Sequence, residues 1–311
     1  MLSRRSVRIK AMQLLYSLDR DSSLSKKELI KKYDFCINQS YELFLYCLFI
    51  LMQITTSAEK DLIKRKSKHL PSDYDKAFTD KLYSNTLIQD IVENKELNKK
   101  FDSLKFESKF NKEYTQKIYE AYSKKDEYKE FVTKDTDEKD TLELLLDLFR
   151  FCRQDEFFNE MLEDAYYNWL DDKSLVVGAV KKYLKALPSK KNKLFTEFLP
   201  EDETVQMFGK SLLKITLDQQ DDIMQIIIPI LENWDHERLA IVDTILLKLS
   251  VSEMLNFPTI PAKVSLNEYV ELGKQYSTAK SKEFINGILD KIMKNLQSEG
   301  KLNKQGRGLI E

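Results

Sequence analysis

The amino-acid sequence predicts an all-α protein, and three observations support this prediction. Hydrophobic residues make up 42% and charged residues 32% of the 311 residues, a composition typical of long solvated helices around a core. Apolar residues recur at intervals of three and four along the chain. Glycine occurs seven times, and the first is Gly178. Tight hairpins and phosphate-binding loops need glycine, so the sequence also argues against a dinucleotide-binding fingerprint and a P-loop.

The first helix is predicted over residues 4–19 and carries two neighbouring stripes. Placing residues at 100° steps gives a core stripe of Val7, Ala11, Leu14, Leu15 and Leu18. The adjacent stripe consists of Arg5, Arg8, Met12 and Tyr16. The helix therefore has a core side and, beside it, a side with arginines and an aromatic ring.

Ser25 and Glu28 form a capping-box pattern, which predicts a second helix at that point. A long helix is expected from about residue 38 to beyond residue 60. Its apolar run, residues 43–54, is shorter than the roughly 20 residues that cross a bilayer, so we assign it to a buried core. The N-terminus lacks a long apolar signal core with a cleavage site. We therefore expect a cytoplasmic protein with no membrane segment.

The remaining helices are predicted from periodicity and from proline. In the middle of the chain, Leu142, Leu145, Leu146 and Phe149 have helical spacing. After residue 200, helices are expected over 205–217, 223–231, 237–257, 266–276 and 281–296. Pro229 should shorten the second of these, and Pro258 with Pro261 should end the third. Residues 299–311 are expected to be a flexible basic tail.

The C-terminal sequence, from Trp234 to Ile292, carries a specific pattern. It reads WDHERLAIVDTILLKLSVSEML, followed by PAKVSLNEYVELGKQYSTAKSKEFINGILDKI. This stretch resembles the NusB antitermination family, which has a Pro-x-Lys-Val turn-helix followed by a Lys-Ser-x-x-Phe-[Val/Ile]-Asn-Gly helix. The N-terminal RRSVRIKAMQLLYSLD is similar to the family's opening helix, with Gln13, Leu15 and Tyr16 matching its Gln-x-Leu-Tyr element.

Two positions depart from the family pattern. The first element of the C-terminal pattern, a helix that ends in Ser/Tyr-Glu-Leu in the family, reads Ser-Glu-Met-Leu here, a small difference. Ala279 and Lys280 stand where some members carry an acidic pair. The second difference bears on RNA affinity or the partner contact and does not affect the fold assignment.

The resemblance implies two NusB-like helical bundles with an additional helical insertion. Residues 1–57 would be NusB-like N-terminal helices, residues 58–200 a helical insertion of unknown role without a family counterpart, and residues 201–298 the C-terminal bundle. It further implies transcription antitermination: binding of the boxA element of ribosomal RNA leaders together with NusE, a small-subunit ribosomal protein, in an antitermination complex with RNA polymerase.

The net charge of −1 means that any RNA site must arise from local clustering. Arg4, Arg5, Arg8 and Lys10 lie within about two turns at a helix start, where the helix dipole also favours phosphate. The alternative is a solvated helix end. For Tyr16, stacking on an unpaired base and packing at the bundle seam with a wet hydroxyl remain equally open.

The last helix supplies the other candidates for RNA binding: Lys280, Lys282, Phe284, Asn286, Gly287 and Lys291. The resemblance places Phe284 near RNA, whereas periodicity alone favours a core position. Gly287 costs about 1 kcal/mol of helix propensity relative to Ala and therefore needs a reason. That reason is close approach either of another helix or of the RNA backbone.

The three cysteines and two histidines have neither metal-ligand spacing nor a catalytic arrangement, so we expect a non-enzyme without a cofactor or metal. Two alternatives remain. One is a helical protein-interaction scaffold without RNA binding. The other is a NusB-like domain associated with a ribosomal RNA methyltransferase, which would require a Gly-rich methyl-donor loop and, in most such enzymes, a catalytic cysteine.

Overall fold

The computed structural model describes residues 1–231 and 240–305. Within these ranges the chain forms helices joined by turns and contains no β-strand, which confirms the all-α class. The expected helix start at Glu237 lies outside the described residues, as do Trp234, His236 and the tail from residue 306.

Internal contacts divide the chain into two units. The middle unit comprises residues 38–199 together with Met1, and the terminal unit comprises residues 2–37 and the chain from residue 200 onward. The expected boundary at 57/58 lies inside an unbroken helix, whereas the observed division falls at 37/38. The second division falls at 199/200, next to the expected one.

The first two helices are α1 (Arg4–Arg20) and α2 (Lys26–Lys66). The side chain of Ser3 caps α1 by accepting from the Ser6 amide at 3.2 Å. The predicted capping box is present before α2: the Ser25 amide donates to the Glu28 carboxylate at 2.8 Å, and the Glu28 amide donates to the Ser25 hydroxyl at 3.3 Å. The two helices expected near residues 25 and 38 are one continuous helix of 41 residues.

The helix α2 is long and apolar enough to cross a membrane by length and composition, which is weak evidence by itself. In its most apolar window, 72% of the residues are buried inside the protein. Leu43, Phe44 and Leu51, among others of this run, have no exposed surface. The helix therefore behaves as the core helix that the sequence predicts.

The middle unit surrounds this part of α2 with short helices, consistent with its expected helical character. Tyr46 of α2 lies 5.1 Å from the Phe106 ring and 5.5 Å from the Tyr166 ring, centroid to centroid. The helices are α3 (Asp73–Ala77), α4 (Lys81–Ser84), α5 (Thr86–Val92), α6 (Lys95–Ser103), α7 (Lys112–Tyr122), α8 (Asp126–Thr133), α9 (Glu138–Cys152), α10 (Glu156–Ala165) and α11 (Trp169–Leu184), with 3₁₀ turns at Phe106–Ser108 and Leu194–Phe198.

The terminal unit is built around one buried helix. It contains a π-helix (Glu203–Lys210) that continues into α12 (Ser211–Asp218), then α13 (Gln220–Ile227) with a 3₁₀ turn (Ile228–Leu231), α14 (Ile241–Asn256), α15 (Ala262–Tyr276) and α16 (Ser281–Ser298). Helix α14 packs against α1, α12, α15 and α16. As predicted, the α-helical part of α13 ends before Pro229, and Pro258 and Pro261 separate α14 from α15.

The start of the expected flexible tail packs back on this unit. The Lys304 ammonium donates to the Phe257 carbonyl at 3.0 Å, and the Gln305 amide donates to the Pro258 carbonyl at 2.9 Å. Burial lowers the pKa of Lys304, because the charged ammonium loses part of its hydration. Residues 301–305 thus close over the turn between α14 and α15.

Helices of the terminal unit approach one another closely at Gly209. A Cβ atom at this position would lie 2.1 Å from the Tyr33 hydroxyl oxygen and 2.7 Å from the Val7 Cβ. The Tyr33 hydroxyl is held in place because it donates to the Val205 carbonyl at 2.8 Å. Only glycine lets the π-helix approach α1 and α2 this closely.

We therefore expect Gly209→Ala to destabilise the protein by about 1–3 kcal/mol, because the added methyl group overpacks a fixed contact. Gly287→Ala is the matched control in the same unit, since a Cβ there meets nothing within 4 Å. The control should stabilise by up to about 1 kcal/mol through helix propensity. Thermal and denaturant unfolding measure both changes, and equal effects of the two substitutions would contradict this account.

Candidate nucleic-acid interface

The guanidinium of Arg8 on α1 is buried and fully engaged. Its side chain is 3% exposed and faces Glu253 on α14, whose side chain is completely buried. The Arg8 Nε donates to Glu253 Oε2 at 2.8 Å, and Nη2 donates to Oε1 at 2.7 Å. This two-point geometry is the strongest form of an arginine–carboxylate pair.

Further groups complete the hydrogen bonding of Glu253. The Ser265 hydroxyl donates to Oε1 at 2.7 Å, and the Tyr269 hydroxyl donates to Oε2 at 2.9 Å, both from α15. The ring centroid of Phe208 lies 5.1 Å from the Arg8 guanidinium carbon. Four donors around one carboxylate satisfy a buried charge that would otherwise be costly.

The electrostatics of this cluster favour the charged pair. Burial disfavours the guanidinium charge, but the hydrogen bond and the negative charge of Glu253 outweigh it and raise the pKa of Arg8 above its ordinary value. Burial, with Glu253 nearby, raises the pKa of Tyr269 well above its ordinary value, so the phenol remains protonated and donates.

These contacts remove two residues from the exposed candidate surface. Arg8 is occupied by Glu253 and is shielded from solvent, so in this fold it holds α1 in place rather than facing a ligand. Lys10 is likewise 3% exposed. The sequence predicted accessible arginines because helical spacing gives the side of the helix on which each residue lies. Spacing does not show which residues of another helix pack against that side.

Sequence reasoning also missed Glu253. A signal was available, because Glu253 is one of two carboxylates, with Asp243, in the largely apolar sequence of α14, and a carboxylate must find a partner once that helix is buried. The partner lies 245 positions earlier in the chain, and periodicity contains no information at that distance.

Arg4 and Arg5 lie at the surface. The Arg4 guanidinium lies 3.3 Å from Glu203 on the π-helix, and both side chains are largely exposed. Arg5 donates to the Gln275 side chain at 3.4 Å and lies 3.7 Å from Glu268, which places it beside the end of α15. Exposed pairs of this kind are weak and can open for another anion.

Tyr16 is 37% exposed, and the guanidinium carbon of Arg20 lies 5.2 Å from its ring centroid. The Arg20 Nε also donates to the Tyr16 hydroxyl at 3.1 Å. The ring is therefore not buried in the bundle. An exposed aromatic ring with a guanidinium above it is an arrangement that can stack on a base.

The start of α16 is fixed to α14. The buried Ser281 hydroxyl donates to Asp243 Oδ2 at 2.8 Å, and the Thr278 amide donates to the Ser281 oxygen at 3.1 Å. Lys280 and Lys282 flank this anchor and are exposed. The anchor thus holds both lysines at one end of the helix.

The candidates on α16 form two separate stripes at 100° per residue. Lys282 and Asn286 lie along one edge of the exposed face, and Phe284, Gly287 and Lys291 lie along the other. Glu283 and Asp290 lie between the two edges. The structure therefore does not gather all the sequence candidates of this helix on one line.

Gly287 has an unusual environment for a helix interior. It is exposed, and a Cβ at this position would meet no other atom of the described chain within 4 Å. The hypothesis that another helix approaches this glycine is therefore wrong. Phe284, one turn earlier, is partly buried, which fits neither a fully buried core residue nor a fully exposed ring.

The chemistry available at this surface is recognition rather than catalysis. Cations, amides and partly exposed aromatic rings bind phosphates and bases. Among residues 1–231 and 240–305, His, Cys, Asp and Glu form no group of three that could hold a metal ion.

Comparison with known proteins gives one consistent family. The NusB family model matches residues 160–294. Residues 160–200, which we expected to lack a family counterpart, are therefore included in this match. Residues 1–57, which we expected to be NusB-like, lie outside the matched range. No solved structure matches the chain.

Three curated relatives carry the name transcription antitermination protein NusB. The protein from Salinibacter ruber is 40% identical over 112 residues, which are 36% of this chain and 70% of the relative. The protein from Chloroherpeton thalassium is 36% identical over 126 residues, covering 39% of this chain and 60% of the relative. The protein from Desulfatibacillum aliphaticivorans is 37% identical over 112 residues, covering 36% and 78%.

We expect Arg8→Met to destabilise the protein by about 3–5 kcal/mol, because it leaves the Glu253 charge buried without its partner. Arg5→Met, on the same helix but at the surface, should cost less than about 1 kcal/mol. In a double-mutant cycle, adding Glu253→Gln to Arg8→Met should cost less than the sum of the two single changes. Additive losses in denaturant unfolding would show that the two residues are not coupled.

Proposed function

Because this chain belongs to the NusB family, we propose that it is an RNA-binding transcription antitermination factor. The names of the relatives give transcription antitermination, and their similarity extends over 36–39% of this chain. The activity of the whole chain, including the middle unit, is part of the proposal.

The proposed ligand is boxA-like single-stranded RNA of a ribosomal RNA leader, bound together with the ribosomal protein NusE. The complex would act on RNA polymerase in the cytoplasm. This assignment of ligand and partner rests on the family resemblance, which covers the sequence around α14, α15 and α16. We propose the partner contact on the terminal unit for the same reason.

The observation that supports RNA binding best is the stripe of Phe284, Gly287 and Lys291. A strand of RNA is held by cations on its phosphates and by aromatic rings against its bases. Lys291 is exposed and supplies the cation, Phe284 supplies a partly exposed ring, and Gly287 leaves room for a backbone between them. An exposed glycine inside a helix lowers stability, and close approach of a ligand accounts for it.

The exposed cations Arg4, Lys280 and Lys282 and the half-buried Arg5 would extend this surface, with Asn286 as a hydrogen-bonding group and Tyr16 as a second ring. Arg5 already contacts Gln275, which lies five positions before Lys280 in the sequence. Arg8 and Lys10 are left out of the proposed contact because both are buried.

The second candidate function is a helical scaffold that does not bind RNA. It would retain the same helices and the same buried pair, since neither depends on a ligand. A binding assay with boxA-like RNA, with and without NusE, separates the two: a scaffold shows no salt-dependent RNA affinity in either condition.

We expect Gly287→Gln to weaken binding of boxA-like RNA severalfold without lowering the melting temperature. The added side chain enters open space in the protein but would obstruct a nearby RNA backbone. Gly178→Gln on α11 is the matched control, because it is also an exposed helical glycine with no atom within 4 Å of a Cβ. Unchanged RNA affinity in a folded Gly287→Gln protein would remove this stripe from the site.

We expect Lys291→Glu to weaken RNA binding and to lower the slope of log affinity against log salt by about 0.7, the value for one phosphate contact on a single strand. Lys294→Glu is the control, since Lys294 lies on the same exposed face of α16 but pairs with Asp290 at 2.7 Å. Fluorescence anisotropy titrations over a salt series give both slopes. Equal slopes for the two variants would indicate a general charge effect instead of a contact.

A further inference from the structure

The middle unit contains a basic cleft that the proposed terminal-unit surface does not use. It has a volume of about 570 Å³ and is open to solvent. The end of α2 forms one wall, Tyr74 of α3 adds to it, and the end of α7 with Lys129 of α8 forms the other. All of these residues belong to the middle unit.

The inner wall of the cleft is electrically balanced. Arg65 donates to Asp75 at 2.8 Å and to Asp61 at 3.0 Å, and Lys68 donates to Asp75 at 2.8 Å. The Tyr119 hydroxyl donates to Asp61 at 3.0 Å. Hydrogen bonds from Lys68 and Ser72, with a further one from Arg65, hold the pKa of Asp75 well below its usual range. Of these groups, Arg65, Asp61 and Tyr119 line the cleft, and the charges of Arg65 and Asp61 are paired.

The rim of the cleft is not balanced. Lys60, Lys64 and Lys124 are exposed, and none has an ion-pair or hydrogen-bond partner for its ammonium among the described residues. Lys129 pairs with Asp126 at 2.9 Å. Glu120 is the one lining carboxylate, within the described chain, that forms no ion pair. Three unneutralised positive charges therefore face one negative charge.

This concentration of charge is local. Residues 38–199 contain 28 Lys and Arg against 30 Asp and Glu, a net charge of −2. A cation near a helix C-terminus complements the helix dipole, and this explains the separate positions of Lys64 and Lys124 at the ends of their two helices. It does not account for Lys60, which lies more than a turn before the end of α2, or for the convergence of all three on one cleft.

A second observation points to a ligand. The Tyr74 hydroxyl is buried at the cleft wall and makes no hydrogen bond with any described residue. Its ring is fixed, because the Arg65 guanidinium carbon lies 4.9 Å from the ring centroid. A fixed, buried and unpaired hydroxyl is costly in a native protein and is commonly satisfied by a bound group.

We propose that this cleft binds the phosphate backbone of single-stranded RNA, as a second RNA contact of the chain. Separate flexible lysines along an open cleft match the repeated charges of a strand. A small phosphorylated metabolite would instead require a pocket that encloses most of its surface. The inference deepens the proposed function and rests on it for the identity of the nucleic acid.

The test uses the full chain and a labelled 12-nucleotide oligouridine, titrated by fluorescence anisotropy at 50 and 200 mM salt. The cleft variant is Lys60→Glu, Lys64→Glu and Lys124→Glu together. If each lysine contacts a phosphate, the salt slope should fall by about 2, so that a fourfold rise in salt weakens the wild-type protein about 16-fold more than the variant.

The matched control reverses three exposed lysines of the same unit that lie outside the cleft: Lys112→Glu, Lys185→Glu and Lys190→Glu. It changes the net charge equally and should keep the wild-type slope. The neutral triple Lys60→Gln, Lys64→Gln and Lys124→Gln should lose the same contacts as the cleft variant. A cleft variant that binds like the control, with an unchanged melting temperature, overturns the proposal.

A combination with Lys282→Glu and Lys291→Glu separates this proposal from the terminal-unit site. If both sites bind, the Lys282/Lys291 variant should retain salt-dependent affinity that disappears when the cleft substitutions are added. Loss of all binding from the Lys282/Lys291 substitutions alone would overturn the proposal for the cleft and support the proposed site on the terminal unit. Loss from the cleft substitutions alone, with the Lys282/Lys291 variant at wild-type affinity, would support the cleft and contradict the terminal site.

Tyr74→Phe tests the hydroxyl. Because the hydroxyl has no protein partner, its removal should leave the melting temperature unchanged or raise it, while oligouridine affinity falls severalfold. A lowered melting temperature with unchanged affinity would assign the hydroxyl to the fold and count against the cleft.

Discussion

The terminal unit depends on the buried pair of Arg8 and Glu253. It joins a helix near the start of the chain to one that begins more than 230 residues later, and it does so through two hydrogen bonds of 2.7 and 2.8 Å. Ser265 and Tyr269 draw α15 into the same cluster. Once α1 is fixed against α14 and α15, the half-buried Arg5 is fixed beside the end of α15 as well. The pair thus determines which cations of α1 remain accessible to solvent.

The sequence predicted most helices because each depends on local information. Apolar spacing located α14 and α16, prolines marked the end of α14, and the Ser25–Glu28 box marked the start of α2. The continuity of α2 and the division of the chain at 37/38 were not predictable in this way. The helical period of residues 26–66 does not show that residues 26–37 belong to one unit and residues 38–66 to the other. That division depends on residues far along the chain.

The candidate site shows the same limit. Exposed lysines on α16 were predictable, because a charged residue opposite an apolar stripe faces solvent. The burial of Arg8 was not, since a charge beside a core stripe looks the same whether it meets water or a distant carboxylate. For Gly287 the sequence left two explanations, close approach of another helix and close approach of the RNA backbone. Only the structure around the glycine could distinguish them. The residues that sequence alone leaves ambiguous are those whose role is set by what lies across from them.

Positive charge is concentrated locally in each of the two units. The chain as a whole carries −1, yet residues 2–37 carry nine Lys and Arg against four Asp and Glu, and the cleft rim gathers three unpaired lysines within a unit of net −2. A uniform charge near zero would neither attract nor direct a polyanion. A local excess of cations can still attract a polyanion, because the potential close to the basic residues depends mainly on the charges nearest to them. Separate lysines along one open cleft favour a flexible strand over a compact anion, since successive phosphates of a strand can each meet one lysine and each added contact strengthens the dependence of binding on salt.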